Sequence, residues 1–377
     1  MSEPRGPLHG LRVIDLSTVL AGPNCARYLA DFGADVIKVE QPGTGDSLRN
    51  MAWRDPRDGT GLWWKLVGRN KRTISLDLKN TEDLEVFLHL IDDANVLVEN
   101  FRPGTLERLG IGPDVLQKRN DKIVITRITG FGQTGPYAGQ PGFASIAEAM
   151  SGVASITGTP GGEPMLPPFA MTDEVTGLAA AFATMVALHS GTSQVVDVSL
   201  LETAFHILGP LISTWKVRGE LQERMGSSLP FTVPRGVFQC SDGEWIAVSA
   251  SSDSVALRVV KLLGYEGDER FTSFQKRIEN RAVLDEAMAN WCKQRTRDEV
   301  LAEFAEAEAA AGPVLSMKDI AQDPHYAARE AIMELDGTPM QGLIAKLSET
   351  PGVLKWSGKP MDADGDDIRA HGWGKTN

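Results

Sequence analysis

Two neighbouring carboxylates, Asp173 and Glu174, stand at the mouth of a long apolar run, Leu178 to Leu188. They follow Pro167-Pro168-Phe169-Ala170-Met171-Thr172 and lead into Val175-Thr176-Gly177. A carboxylate in this place has two readings. Its side-chain oxygen can cap the first turn of a helix. It can also be a working group. Proline, phenylalanine, methionine and alanine around Asp173 predict partial desolvation, and Glu174 adds like charge; both raise a carboxyl pKa, while a helix N-terminus lowers it. A carboxylate poised in that way serves as a nucleophile. The glycine-rich stretches 130–135 and 157–162 could offer backbone N–H groups to an oxyanion.

Other chemistries find less support. The six histidines form no HxxxH or HExxH pair, so no metal site is expected. Neither a Walker A loop nor a GxSxG elbow is present. Cys25, Cys240 and Cys292 lack CxxC spacing and read as reduced thiols, which suits a cytoplasmic protein. The net charge of −12 argues against broad binding to nucleic acid or anionic membranes. Cations do cluster locally. Arg69, Lys71 and Arg72 precede one predicted strand, and Arg102 and Arg108 follow another. Such groups suit a phosphate-bearing ligand, or else a solvated loop.

The elements that must position these residues alternate. Strands are predicted at Arg12–Leu16, Asp35–Glu40, Thr73–Leu78, Asn95–Glu99, Lys122–Ile128 and Ser193–Val198. Helices are predicted at Cys25–Phe32 and at Glu82–Asp92, the latter capped by Thr81. Ser199 and Glu202 fit a capping box. The alternation predicts an α/β doubly wound, Rossmann-like sheet. The first βαβ unit has Glu40 where a dinucleotide's ribose could bind, but its turn, Leu20-Ala21-Gly22-Pro23-Asn24, lacks GxGxxG. A strand at Trp245–Ala250 and the charged helical pattern from 254 to 311 predict a second, smaller, mostly helical α+β domain. The run from Leu178 to Leu188 reads as a buried core helix too short to span a membrane. No signal-peptide pattern is visible at Met1 to Gly10.

These motifs, taken in order, resemble the family III CoA-transferases. The likeness rests on Leu20-Ala21-Gly22-Pro23, on Leu29 to Glu40, on Asn70-Lys71-Arg72 with Leu76-Asp77-Leu78-Lys79, on Glu99 to Gly104, on Gly130 to Pro136, on Asp173 to Gly177 and on Asp323-Pro324-His325. The resemblance implies that Asp173 is the nucleophile, forming an aspartyl anhydride and then an aspartyl-CoA thioester. It implies acyl-CoA and a small carboxylic acid as substrates, with coenzyme A passing through and no tightly bound cofactor. Val19 would lie near the adenine, Lys71 and Arg72 near the phosphates, and Asn100, Phe101 and Arg108 elsewhere along the CoA. It also implies an interlocked homodimer, a large domain of residues 1–225 with 326–377 and a small domain of residues 226–325. The racemase branch of the family is the alternative. That branch carries a Gly-His-Asp step, which here reads Gly142-Phe143-Ala144, so a two-base proton exchange lacks its histidine. The glycine-rich lid of formyl-CoA transferase-like members has no counterpart, with Gly226-Ser227-Ser228-Leu229 standing near its place, and Gln41 replaces an arginine able to contact CoA.

Overall fold

The computed structural model describes residues 5–374. The chain divides into two compact units: residues 5–153, 166–209 and 325–374 form the first, and residues 154–165 and 210–324 form the second. Relative to the expected boundaries, segments 154–165 and 210–225 fall in the smaller unit.

The first unit is built on six parallel strands: β1 (Arg12–Asp15), β2 (Asp35–Glu40), β3 (Lys71–Ser75), β4 (Val96–Glu99), β5 (Val124–Thr129) and β6 (Gln194–Ser199). Their order is β3-β2-β1-β4-β5-β6, that of a dinucleotide-type doubly wound sheet. Side chains alternate across it with the period of two that a pleated strand imposes. Ile14, Ile37, Ile74, Leu97 and Ile125 meet Phe87, Leu90 and Ile91 on one face. Val13, Val36, Val96 and Val98 meet Cys25, Leu29, Ala180 and Ala181 on the other.

Element ends depart from expectation where local chemistry allows it. The first helix, α1 (Ala21–Asp31), begins four residues before Cys25 and takes Pro23 into its first turn, where a missing N–H costs nothing. Asn80, not Thr81, caps the helix Thr81–Asp92, accepting from the N–H groups of Glu82 and Asp83. Ser199 caps the helix Leu200–His206 as expected, accepting from Glu202 N at 3.0 Å. The Glu202 carboxylate, however, binds the Ser199 hydroxyl at 2.8 Å, so only half of the capping box is made.

The helix behind the acidic pair runs from Met171 to Ser190. At 20 residues it is long and apolar enough to cross a membrane, which the shorter predicted run was not. One face, from Thr172 and Thr176 through Gly177, Ala180 and Thr184, is buried. Thr184 Oγ1 lies 2.6 Å from Thr126 Oγ1 on β5. The opposite face corrects the expectation of a wholly buried helix: Leu178, Phe182 and Val186 are 43%, 71% and 54% exposed.

The C-terminal segment returns to this unit and covers β3 at the sheet edge. Asp364 accepts from Thr73 N at 2.9 Å, Asp362 from Ser75 N at 2.7 Å, and Trp356 Nε1 donates to Lys71 O at 3.1 Å. Ile368 and Trp373 complete the core below.

The second unit has an antiparallel sheet, β7 (Arg235–Gln239), β8 (Trp245–Ser249) and β9 (Ala311–Pro313), backed by helices Asp253–Leu262, Arg281–Lys293 and Arg297–Glu306. Phe238, Ile246, Met288, Val300 and Phe304 form its centre. Thr296 and Glu299 make a complete capping box there.

Candidate active site

Strand order reverses between β1 and β4, and ligands in open α/β sheets bind in the crevice beyond the carboxyl ends of strands at such a switch point. The loops leaving these two strands meet there through one side chain. Thr18 N donates to Asn100 Oδ1 at 2.8 Å, and Asn100 Nδ2 donates to Thr18 O at 2.6 Å. Val19, next in the loop, has φ of 67°. That conformation is strained for a β-branched residue. Its N–H is held by Asp46 Oδ1 at 3.2 Å.

A cavity of about 360 Å³ opens at this point, lined by Val19, Asn100, Phe101, Arg102, Phe143 and Asp173 among others. Beside it, and sharing Thr18 and Phe101, a cavity of about 180 Å³ runs over the ends of β2 and β3 to Asp77 and Lys79. The first turn of α1 carries no side-chain cap and reaches the larger cavity at Ala21. Its N–H groups and dipole favour negative charge there.

Asp173 does not cap its helix. Ala170 occupies the cap position, and Asp173 sits inside the first turn. Burial pushes its carboxyl up to about 6, and the charges of Glu148 and Glu174 add to the rise. Glu174 acquires a structural role. It accepts from Asn24 Nδ2 at 3.0 Å and from the Tyr28 hydroxyl at 3.4 Å, with the Arg27 guanidinium at 3.6 Å, and so ties this helix to α1.

Of the seven residues singled out by sequence, Asp173, Val19, Asn100 and Phe101 come together around the larger cavity. Lys71 and Arg72 form satisfied ion pairs where a phosphate cradle was expected. The buried Lys71 ammonium donates to Asp15 Oδ2 at 2.8 Å and to Pro23 O at 2.7 Å, and burial holds its pKa below the ordinary lysine value. Arg72 pairs with Asp35 at 2.7 Å, at the amino end of the parallel strands. Arg108 is exposed, donates to Thr105 Oγ1 at 2.8 Å, and lines neither cavity.

Some of the expected oxyanion donors are taken up internally, while Gly130 lines the larger cavity. In the 130–135 loop, Gly132 N–H is taken by Thr129 Oγ1 at 2.9 Å and Gln133 N–H by Asp197 at 2.9 Å. The 157–162 stretch belongs to the second unit, where Gly162 N donates to Thr159 O at 3.0 Å.

Sequence reasoning missed Glu148. It lies on the helix Ala144–Ser151, is 3% exposed, and accepts the Thr172 hydroxyl at 2.9 Å. A lone carboxylate inside Ile146-Ala147-Glu148-Ala149-Met150 was the available signal. Among the described residues, no group of three or more His, Cys, Asp and Glu side chains could hold a metal ion.

The family model for CoA-transferase family III matches residues 8–365. The chain is 37% identical to the succinyl-CoA–D-citramalate CoA-transferase of Chloroflexus aurantiacus, over 95% of this chain and 92% of that one. It is 38% identical to the beta subunit of the succinyl-CoA–L-malate CoA-transferase of the same organism, over 94% and 91%. A solved CaiB/BaiF family protein from Brucella suis superposes with a TM-score of 0.86 at 32% identity, covering 97% of this chain and 99% of that one.

Proposed function

The chain belongs to CoA-transferase family III, and on that premise we propose that it moves CoA from a donor acyl-CoA to a free carboxylic acid through covalent intermediates on Asp173. The observation that carries this reading is the placement of one desolvated carboxylate in the wall of a cavity at the switch point of the sheet. Asp173 attacks the thioester carbonyl; the C–S bond breaks and its electron pair leaves on the CoA thiolate, giving a mixed anhydride. The thiolate then attacks the aspartyl carbonyl and expels the donor as its carboxylate. The acceptor carboxylate attacks the resulting aspartyl thioester, releasing thiolate and forming a second anhydride. Attack of the thiolate on the acceptor's acyl carbon completes the exchange and restores Asp173. Each step trades one activated acyl group for another, so no nucleotide is hydrolysed.

Val19, Asn100 and Phe101 take the pantetheine and nucleotide end of CoA, and the smaller cavity beside them continues the path. Lys79 and Arg102, which line the two cavities, are better placed for its phosphates than the internally paired Lys71 and Arg72. Both named relatives pair succinyl-CoA with a hydroxydicarboxylic acid, so we assign short dicarboxylates as the substrate class. Two copies of the chain form the working, interlocked enzyme.

The test is a CoA-exchange assay with succinyl-CoA and a panel of malate, citramalate and other short acids, read by mass detection of new thioesters. Hydroxylamine added during turnover should convert Asp173 to its hydroxamate. Asp173→Ala should lose about 10³-fold or more of the transfer rate. Transfer at the native rate by Asp173→Ala would overturn the assignment.

A further inference from the structure

Glu148 is a buried carboxylate that the covalent steps above do not use. It stands on the helix Ala144–Ser151, whose first residues, Ala144 and Ser145, with Phe143 before them, line the Asp173 cavity. Only 3% of it is exposed. Its Oε1 is fixed by the hydroxyl of Thr172, the residue immediately before the nucleophile. Thr172 is itself fully buried and belongs to the first turn of the nucleophile's helix. One hydrogen bond therefore ties the Glu148 carboxylate to the turn that carries Asp173.

Resting on the proposal that Asp173 is the nucleophile, we propose that Glu148 is a positioning residue of the same site: anchored by Thr172, it holds a second carboxylate against the first turn of the nucleophile's helix, opposing the free Asp173 anion but not its acylated form. Negative charge on the two carboxylates is mutually opposed in a poorly solvated space. Attack on the thioester turns Asp173 into a neutral acyl group, and the negative charge moves out on the thiolate. An interaction that opposes the free anion but not the acylated state favours the forward step.

The surrounding charges leave this role to Glu148. On its own helix Asp173 also faces Glu174, but that carboxylate is answered by Arg27 and Tyr28 of α1. Arg27 is shared further with Asp31. Glu202, on the helix after β6, is bound to the Ser199 hydroxyl. Arg102 lines the cavity from the loop after β4. The rise of the Asp173 carboxyl follows the same order, with burial first, Glu148 second and Glu174 third.

Glu148→Gln keeps the acceptor for Thr172 and the shape while removing the charge. The probe is the full-length protein labelled with ¹³C at aspartate carboxyl carbons, with the Asp173 resonance assigned by its loss in Asp173→Asn. The titration midpoint of Asp173 should fall by roughly one pH unit in Glu148→Gln, and the acid limb of kcat/KM should fall with it. Glu148→Asp, which retains the charge, should keep the midpoint near the wild-type value even where the rate drops. A midpoint unmoved in Glu148→Gln, or moved equally in Glu148→Asp, overturns the proposal. Should Glu148→Gln not fold, a Glu148→Asp midpoint that drops by a full unit does so as well. The titration needs no turnover, so it stands apart from the transfer assay: a wild-type protein that moves no CoA sinks the nucleophile, not the coupling of the two carboxylates.

Discussion

Asp173 is held in a setting that opposes its ionised form, with consequences in opposite directions for activity and stability. For activity, the nucleophile is the carboxylate, so kcat/KM should fall as pH drops through about 6. For stability, the folded carboxyl binds its proton more tightly than the unfolded one. Between the ordinary aspartate value of 3.8 and about 6, the native state holds more protons than the unfolded chain. Folding stability from this group therefore declines as pH rises through that window, and the full penalty stands above it. Asp173→Asn removes the penalty. It should unfold with a free energy about 1–3 kcal/mol higher than wild type at pH 7.5, with the gain gone near pH 3.5, as chemical denaturation at the two pH values will read. A gain equal at both pH values would show that titration is not its source. At this scale the sequence was informative about some residues and silent about others. Asp173 could be found because its neighbours form an ordered motif. Lys71 reads as one of a run of loop cations, yet its charge is consumed by Asp15, a residue 56 positions away that no local pattern connects to it. Glu148 is the converse case, a polar residue whose partner, Thr172, exists only once two helices have met.

The site depends on how closely the nucleophile's helix lies on α1. Gly177 is buried one turn after Asp173, and a Cβ placed on it would stand 2.8 Å from the Asn24 Cβ and 2.9 Å from Ala21 O. No real side chain accepts such contacts, and the obstructing carbonyl belongs to backbone that cannot swing aside. Gly177→Val should force the helices apart, lower stability by about 1–3 kcal/mol and stretch the Asn24–Glu174 bond. Its kcat should fall more than Tm alone would suggest, because Ala21 and Asp173 line the same cavity. A variant with native Tm and native kcat would show that the contact is dispensable. The strands and their doubly wound sheet were legible because alternating runs between helices leave few arrangements. Helix starts were less so. Pro23 looks like a turn residue but is compatible with a first turn, and Asn80 outcompetes Thr81 for the cap by reaching two N–H groups.

Viewed whole, the chain carries −12 formal charges yet exposes a ridge of Leu178, Phe182 and Val186 along the nucleophile's helix. Large apolar groups spaced by one helical turn on an open face favour coverage by another surface. With the proposed interlocked pair, light scattering should return twice the 40.8 kDa chain mass, and Phe182→Glu should shift the population towards the single-chain mass. A wild-type mass of one chain at micromolar concentration would refute the assembly. The path of the C-terminal segment adds an order in time. β3 is the open edge of its sheet, and the carboxylates that occupy its N–H groups come from Asp362 and Asp364, made some 290 residues later. During synthesis the first unit therefore emerges with the outer edge of β3 unpaired, and that edge stays available to other chains until Asp362 and Asp364 have been made. The hazard to this protein lies in its unfinished chains, and its yield in a cell should depend on how well that interval is chaperoned.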